Sequence, residues 1–337
     1  PFLRLPEVPT DHVFQFLRHH HREIVEEIGV VERHLPRGHV PLVVLRVFGV
    51  AQQVVRHLIV RAEEGVVATV SLSSWDNGIL RVTGGGSRKA GEPVGVPALV
   101  MITEHYNQIL RLIEKKETVR LSVDVKAQFT SEDDRMAYNT LADLPGGSRK
   151  NELVMIGAHL DSWHTGTGAA DNAAGVAVMM EAMRILKLVY PNPKRTILVG
   201  HWGSEEQGLN GSRAFVEDHP EIVSKLQALF NQDNGTGRIA NISGQGYQHA
   251  GEFLSRWLAA VPSILKDSIK TNFPGVPGGG GSDFASFVAV GAPGFSLSSL
   301  SWSYSNYTWH TNRDTYDKII FDDLRSNAIV TAIMVYM

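Results

Sequence analysis

Four short, largely apolar runs constrain this chain more than anything else in it: residues 153–156 (Leu-Val-Met-Ile), 196–199 (Thr-Ile-Leu-Val), 228–230 (Ala-Leu-Phe) and 295–297 (Phe-Ser-Leu). They do not alternate with charged residues, so they read as strands covered on both faces. Between them lie helical stretches. The clearest is 173–188, with Val176, Met179, Met180, Met183 and Leu186 on one side and Asn192-Pro193 soon after its end. Strands alternating with helices predict an α/β layer fold: a mostly parallel central sheet flanked by helices.

The first part of the chain reads differently. Residues 66–72, 79–82 and 98–103 are short β-branched runs, broken by Trp75-Asp76-Asn77-Gly78 and by Gly84-Gly85-Gly86. Residues 104–115 carry Ile109, Leu110, Leu112 and Ile113 and predict a short helix. Residues 119–129 alternate (Val119, Leu121, Val123, Val125) and predict a half-buried strand. A smaller, mainly β module is therefore expected in 1–129, ahead of an α/β domain in 130–337. Residues 1–60 show no usable period. They belong to an Arg-rich stretch, with ten Arg and no Lys before Lys89.

Charge and cysteine usage exclude several functions. Lys and Arg total 32 against 35 Asp and Glu, a net charge of −3, which leaves no electrostatic basis for holding nucleic acid or an anionic membrane. Without cysteine there is no disulfide scaffold, thiol nucleophile or thiolate ligand, so any metal must sit on His, Asp and Glu. No apolar stretch reaches the ~20 residues of a membrane span; residues 40–50 are interrupted by Arg46, and 328–337 are too short. The chain opens on Pro1 without a basic-then-apolar leader, which suits a cytoplasmic protein lacking its start or a processed, exported one. A G-x-S-x-G elbow is absent, against a serine hydrolase of the usual α/β type. The run from Gly84 to Lys89 lacks phosphate-loop spacing and reads as a surface turn. His19-His20-His21 reads as a solvated face, and Asn241-Ile242-Ser243 and Asn306-Tyr307-Thr308 match a glycosylation pattern that arises often by chance.

In open α/β sheets chemistry gathers just beyond the carboxyl ends of strands. The first run leads to His159-Leu160-Asp161, the second to Glu205-Glu206 and the third to Asn231-Gln232-Asp233, while Asp171-Asn172 stands at the entrance of the 173–188 helix. Taken singly, each has a plain reading. Asp171 would be a helix cap, Glu205-Glu206 a solvated pair, Asp233-Asn234-Gly235 a turn and His159 a core histidine. Together they place several carboxylates on one rim, where they repel unless a cation lies among them. Imidazole with carboxylate suits zinc.

Four separated motifs then carry a resemblance. Gly157-Ala158-His159-Leu160-Asp161-Ser162, Gly168-Ala169-Ala170-Asp171-Asn172-Ala173-Ala174-Gly175, Ser204-Glu205-Glu206-Gln207-Gly208-Leu209-Asn210-Gly211-Ser212 and Trp309-His310-Thr311-Asn312-Arg313-Asp314-Thr315 resemble the co-catalytic di-zinc exopeptidases. That family includes bacterial leucyl-type aminopeptidases and plasma glutamate carboxypeptidase, and the resemblance covers roughly 130–337. It implies two zinc ions per chain: His159 and Asp233 on one, Glu206 and His310 on the other, Asp171 bridging. It further implies Asp161 orienting the imidazole of His159, Glu205 as general base acting on a zinc-bridging hydroxide, and short peptides or dipeptides as substrates. Tyr304 or Tyr307 would donate to the oxyanion, Asp283 would border the substrate pocket, and Arg313 lies close enough in sequence to His310 to read a substrate carboxylate. The stretches 64–68 and 95–102 resemble the latter part of a protease-associated domain, which some members carry ahead of their catalytic residues. Family members are mostly exported, which points to an extracellular or periplasmic site of action. Two other readings remain: a receptor-like homologue without turnover, and a single-zinc acyltransferase of the glutaminyl-cyclase type. Oligomeric state is not legible.

Overall fold

The structure is a computed structural model that describes residues 29–30, 42–46, 66–73, 75–82, 84, 95–127, 136–278 and 280–337. The chain divides into two compact units, residues 1–128 and 129–337. The histidine run 19–21, residues 85–89 of the glycine-rich turn and residues 128–129 of the expected strand lie outside the described residues.

The first unit carries a four-stranded sheet in the order β1 (Gly29–Val30), β2 (Leu42–Arg46), β3 (Val66–Leu72) and β4 (Ala98–Met101). β2, β3 and β4 run parallel and β1 is antiparallel to β2. Helix α1 (Thr103–Glu114) turns Tyr106 and Ile109 onto Ala68 and Val70 of β3. Two expectations fail here. Residues 79–82 form only an isolated bridge at Arg81, because the Ser73 hydroxyl ties the segment back, donating to the Ile79 carbonyl and accepting from the Arg81 N–H. Residues 119–127 are not a strand. Val119, Leu121 and Val123 pack on the α1 cluster as their alternation requires, yet the backbone joins no ladder among the described strands. Apolar alternation specifies a face, not a hydrogen-bonding partner.

The second unit is built on a seven-stranded sheet. Its strands are β5 (Thr140–Leu144), β6 (Arg149–His159), β7 (Arg195–Trp202), β8 (Leu226–Asn231), β9 (Ile239–Ser243), β10 (Lys270–Asn272) and β11 (Gly294–Ser299). Their spatial order is β10-β9-β11-β8-β6-β7-β5. The centre, β11-β8-β6-β7, is parallel throughout; β5 closes one edge antiparallel, and β9 meets β11 antiparallel with β10 beyond it. The four apolar runs form β6, β7, β8 and β11 of that parallel centre. The principal helices are α2 (Ala174–Val189), α3 (Asn210–Asp218), α4 (Ala250–Ala259), α5 (Phe284–Ala289) and α6 (Phe321–Tyr336).

Burial on both faces explains the unbroken apolar runs. Val154 and Ile156 of β6 pack with Met179 and Leu186 of α2 and with Ala328 and Val335 of α6. On the other face, Leu153 and Met155 join Trp202, Phe215 of α3 and Phe287 of α5. Met155 and Ile156 are fully shielded, and each contributes about 1.5–3 kcal/mol by leaving water. No helix among the described residues is long and apolar enough to cross a membrane.

Candidate metal centre

The parallel strands deliver their carboxyl ends to one rim. β6 ends on His159, and Asp161 follows two residues later. After β7, Ser204 takes a left-handed φ of 58° and the N–H groups of Gly208 and Leu209 return to the Glu205 carbonyl, so Glu205 and Glu206 sit in a tight turn rather than on a strand. β8 runs on to Asp233, with the Gln232 N–H bonded to the Gly157 carbonyl. Asp171 lies in an irregular turn, residues 169–173, ahead of α2. It is not the cap of that helix. Asn172 performs that function, its Oδ1 accepting the Gly175 N–H while its Nδ2 donates to the Gln232 carbonyl. His310, with a left-handed φ of 60°, comes from the loop between β11 and α6.

These side chains converge around Asp171. His159 Nε2 lies 3.2 Å from Asp171 Oδ1 and 3.1 Å from Asp233 Oδ1. His310 Nε2 lies 3.4 Å from the other oxygen, Asp171 Oδ2, and 3.0 Å from Glu206 Oε2. A Glu205 oxygen comes within 4.8 Å of the His159 and Asp233 ligand atoms. Donors about 2.0–2.1 Å from a tetrahedral ion stand roughly 3.3 Å from each other, the spacing seen in both groups. Glu206 Oε1 and Asp171 Oδ2 are buried yet accept no hydrogen bond. That is costly for carboxylates unless a cation takes the place of donors. The donor set is imidazole and carboxylate, it is buried, and its spacing matches: the residues fit divalent metal.

Around them, hydrogen bonds set orientation. The Nδ1 of His159 is 2.9 Å from the Asp161 main-chain carbonyl; with its N–H donated there, Nε2 keeps its lone pair for the centre. The expected Asp161 carboxylate contact with that ring is 3.8 Å long. The carboxylate instead accepts the backbone N–H groups of Glu205 and Glu206, at 2.9 and 3.1 Å.

Crowded acids distort one another's ionisation. Burial, then the charges of Asp233, Asp283 and Glu206, push Glu205 up to about 9 against the pull of His159. Burial raises Asp171, with Asp233 and Glu206 adding to it. Burial opposes protonation of His159, but Asp233 and Asp171 outweigh it and hold the imidazole well above its ordinary value. Burial also works to raise Asp233, and His159 overcomes it and holds that carboxyl low. Cationic charge at the centre would relieve the first two shifts.

The remaining expected residues fall into different surroundings. Tyr304 packs over Gly235, its hydroxyl facing the Asp171 carboxylate. Tyr307 lies under the Arg313 guanidinium and near the Lys318 ammonium, 5.8 and 5.9 Å from its ring centroid. Asp283 is wholly buried at the start of α5 and burial pushes it up to about 7, so it lines no open wall. Sequence reasoning missed the rings flanking His310: Trp309 at 4.1 Å and Trp163 at 5.7 Å between centroids. The Trp309-His310 pair was visible in the motif, but Trp163 carried no signal of its own.

The chain has relatives of known family and fold. The model of the family described as "Peptidase family M28" matches residues 139–335. Carboxypeptidase Q of Mus musculus is 25% identical over 271 residues, covering 80% of this chain and 54% of the mouse protein. A solved structure described as a peptidase M28 precursor from Shewanella amazonensis superposes with a TM-score of 0.67 at 28% identity, covering 83% of this chain and 62% of that one. The zinc aminopeptidase BSAP of Bacillus subtilis shares the fold, with a TM-score of 0.59 at 20% identity over 87% of this chain and 69% of that one. The chain thus spans about half the length of the curated relatives it matches.

Proposed function

Because the chain belongs to peptidase family M28, we propose that it is a zinc-dependent exopeptidase acting on short peptides or dipeptides, of the aminopeptidase or dipeptidase type. One observation carries this reading: the two oxygens of Asp171 face two separate histidine–carboxylate pairs. His159 and Asp233 would hold one ion, His310 and Glu206 the other, and Asp171 both. Zinc suits imidazole with carboxylate, and it is the metal named for the Bacillus relative of the same fold. When bound, such a pair supplies Lewis acidity, polarising a carbonyl and lowering the pKa of water toward ~7.

The chain's own groups do the rest. Glu205 takes a proton from the attacking water and returns it to the departing amine. Its place beside Asp233 and His159 suits that work, and Asp161 steadies it by holding the Glu205 and Glu206 N–H groups. Tyr304 is the better placed of the two tyrosines to donate to the carbonyl oxygen, since Tyr307 stacks with Arg313 and Lys318. That stacking also gives Arg313 a packing role. Trp163 and Trp309 wall the His310 side. Zinc-loaded protein profiled on a dipeptide library, with amino-blocked and carboxyl-blocked versions, tests the reading. Chelator-sensitive cleavage that amino-blocking abolishes is expected; a loaded protein inert toward every peptide would overturn it.

A further inference from the structure

The loop that carries His310 also grips the turn that carries Asp171. Asp314, 3% exposed, accepts the Ala170 N–H on Oδ1 at 2.6 Å and the Asp171 N–H on Oδ2 at 3.1 Å. Its main-chain carbonyl accepts the Thr167 N–H at 2.8 Å and the Thr167 hydroxyl at 3.1 Å, and the Thr165 hydroxyl reaches the His310 carbonyl at 3.4 Å. The two backbones touch. A Cβ on Gly166 would lie 2.5 Å from the Asp314 carbonyl oxygen and 2.9 Å from that of Thr311. Holding two consecutive N–H groups takes two acceptor oxygens at fixed spacing, which a carboxylate has and a carboxamide lacks. Asp161 grips Glu205 and Glu206 in the same way on the other side. The ligand-bearing segments are therefore tied in pairs, 159–161 to 205–206 and 310–314 to 170–171.

We propose that Asp314 is a positioning residue that sets the span between Asp171 and His310 across which a metal ion is held. The proposal rests on reading the centre as a metal site. Burying another carboxylate in an acidic site costs stability, and two backbone N–H bonds to its charge offset that cost while locating Asp171. Removing the carboxylate frees the 169–173 turn, and the 3.4 Å contact between His310 and Asp171 is no longer set.

Zinc titration against a chromophoric chelator tests this in wild type, Asp314→Ala, Asp314→Asn and Gly166→Ala. Asp314→Ala should weaken one zinc equivalent by about 10–100-fold, the usual effect of losing a group that orients a ligand. Asp314→Asn, keeping one acceptor oxygen, should fall between Ala and wild type. Gly166→Ala should weaken the same equivalent by parting the loops without removing a carboxylate. Turnover should fall with KM held. A merely structural role would lower the melting temperature of the metal-free protein and leave zinc affinity alone, and folded Asp314 variants that bind zinc as wild type does would overturn the proposal. If the Ala variant does not fold, the Asn variant decides. A wild type that takes up no zinc overturns the metal reading itself, a separate failure seen before any variant is made.

Discussion

At the scale of single residues, neighbouring carboxylates differ by what surrounds them. Glu206 and Asp171 point at histidines, whereas Glu205 stands beside them with its pKa raised, in the metal-free protein, by burial and by the acids around it. Glu205→Gln should retain zinc, read by elemental analysis, while turnover falls by at least about 10²–10⁴-fold, the usual worth of a general base; an unimpaired variant would remove Glu205 from that role. The metal-free protein should also report the crowding. Glu205 rises from 4.5 to about 9, so between those values the folded form holds a proton the unfolded chain has released. The folded state then binds more protons, and stability falls as pH rises. His159, also raised, loses its stabilising charge in the same direction. Melting in excess chelator should give a lower midpoint at pH 9 than at pH 6, and Glu205→Gln should flatten the slope. A midpoint that climbs over this interval would contradict the assignment. Of these residues, Asp161 was legible as a participant but not in its bonding. Its carbonyl holds the imidazole while its carboxylate holds the next turn, because main-chain geometry decides which oxygen reaches.

At the scale of elements, β6 and β7 lie so close to an indole that one side chain more does not fit. A Cβ on Gly200 would fall 2.6 Å from Trp202 Cζ2 and 3.0 Å from the Met155 terminal methyl, in the core between the sheet, α3 and α5. Gly200→Ala should therefore destabilise by about 1–3 kcal/mol, measurable in chemical denaturation as a lower midpoint with unchanged slope. No change would mean that Trp202 has room to shift. The four apolar runs were legible as strands because burial on both faces leaves one composition only. Residues 79–82 and 119–127 were not legible, since a short β-branched run or an apolar alternation serves equally a strand and an extended segment tied by a serine hydroxyl or by packing alone. Strands β5, β9 and β10 also escaped the sequence: β5 and β10 are short, largely exposed edge strands, and β9, inside the sheet, buries only Ile239 and Ile242 of its five residues.

At the scale of the molecule, the imidazoles and carboxylates gathered at the centre come from five segments spread between His159 and His310. Metal that binds only this folded arrangement should stabilise the second unit by mass action, about 2.7 kcal/mol when free zinc is a hundred times its dissociation constant. The melting temperature should rise with zinc concentration and fall back on chelation; an unresponsive midpoint would mean that the five segments form no common site. Residue order alone determined the α/β class, the strand ends that bear chemistry and the identity of the acids and imidazoles, because burial and ligand chemistry act on residue type. Tertiary structure alone decided which Asp171 oxygen meets which histidine, and which carboxylates grip backbone rather than face the centre. Such choices turn on differences of a few tenths of an ångström between segments up to about 150 residues apart, and only the packed sheet brings those segments within reach of one another.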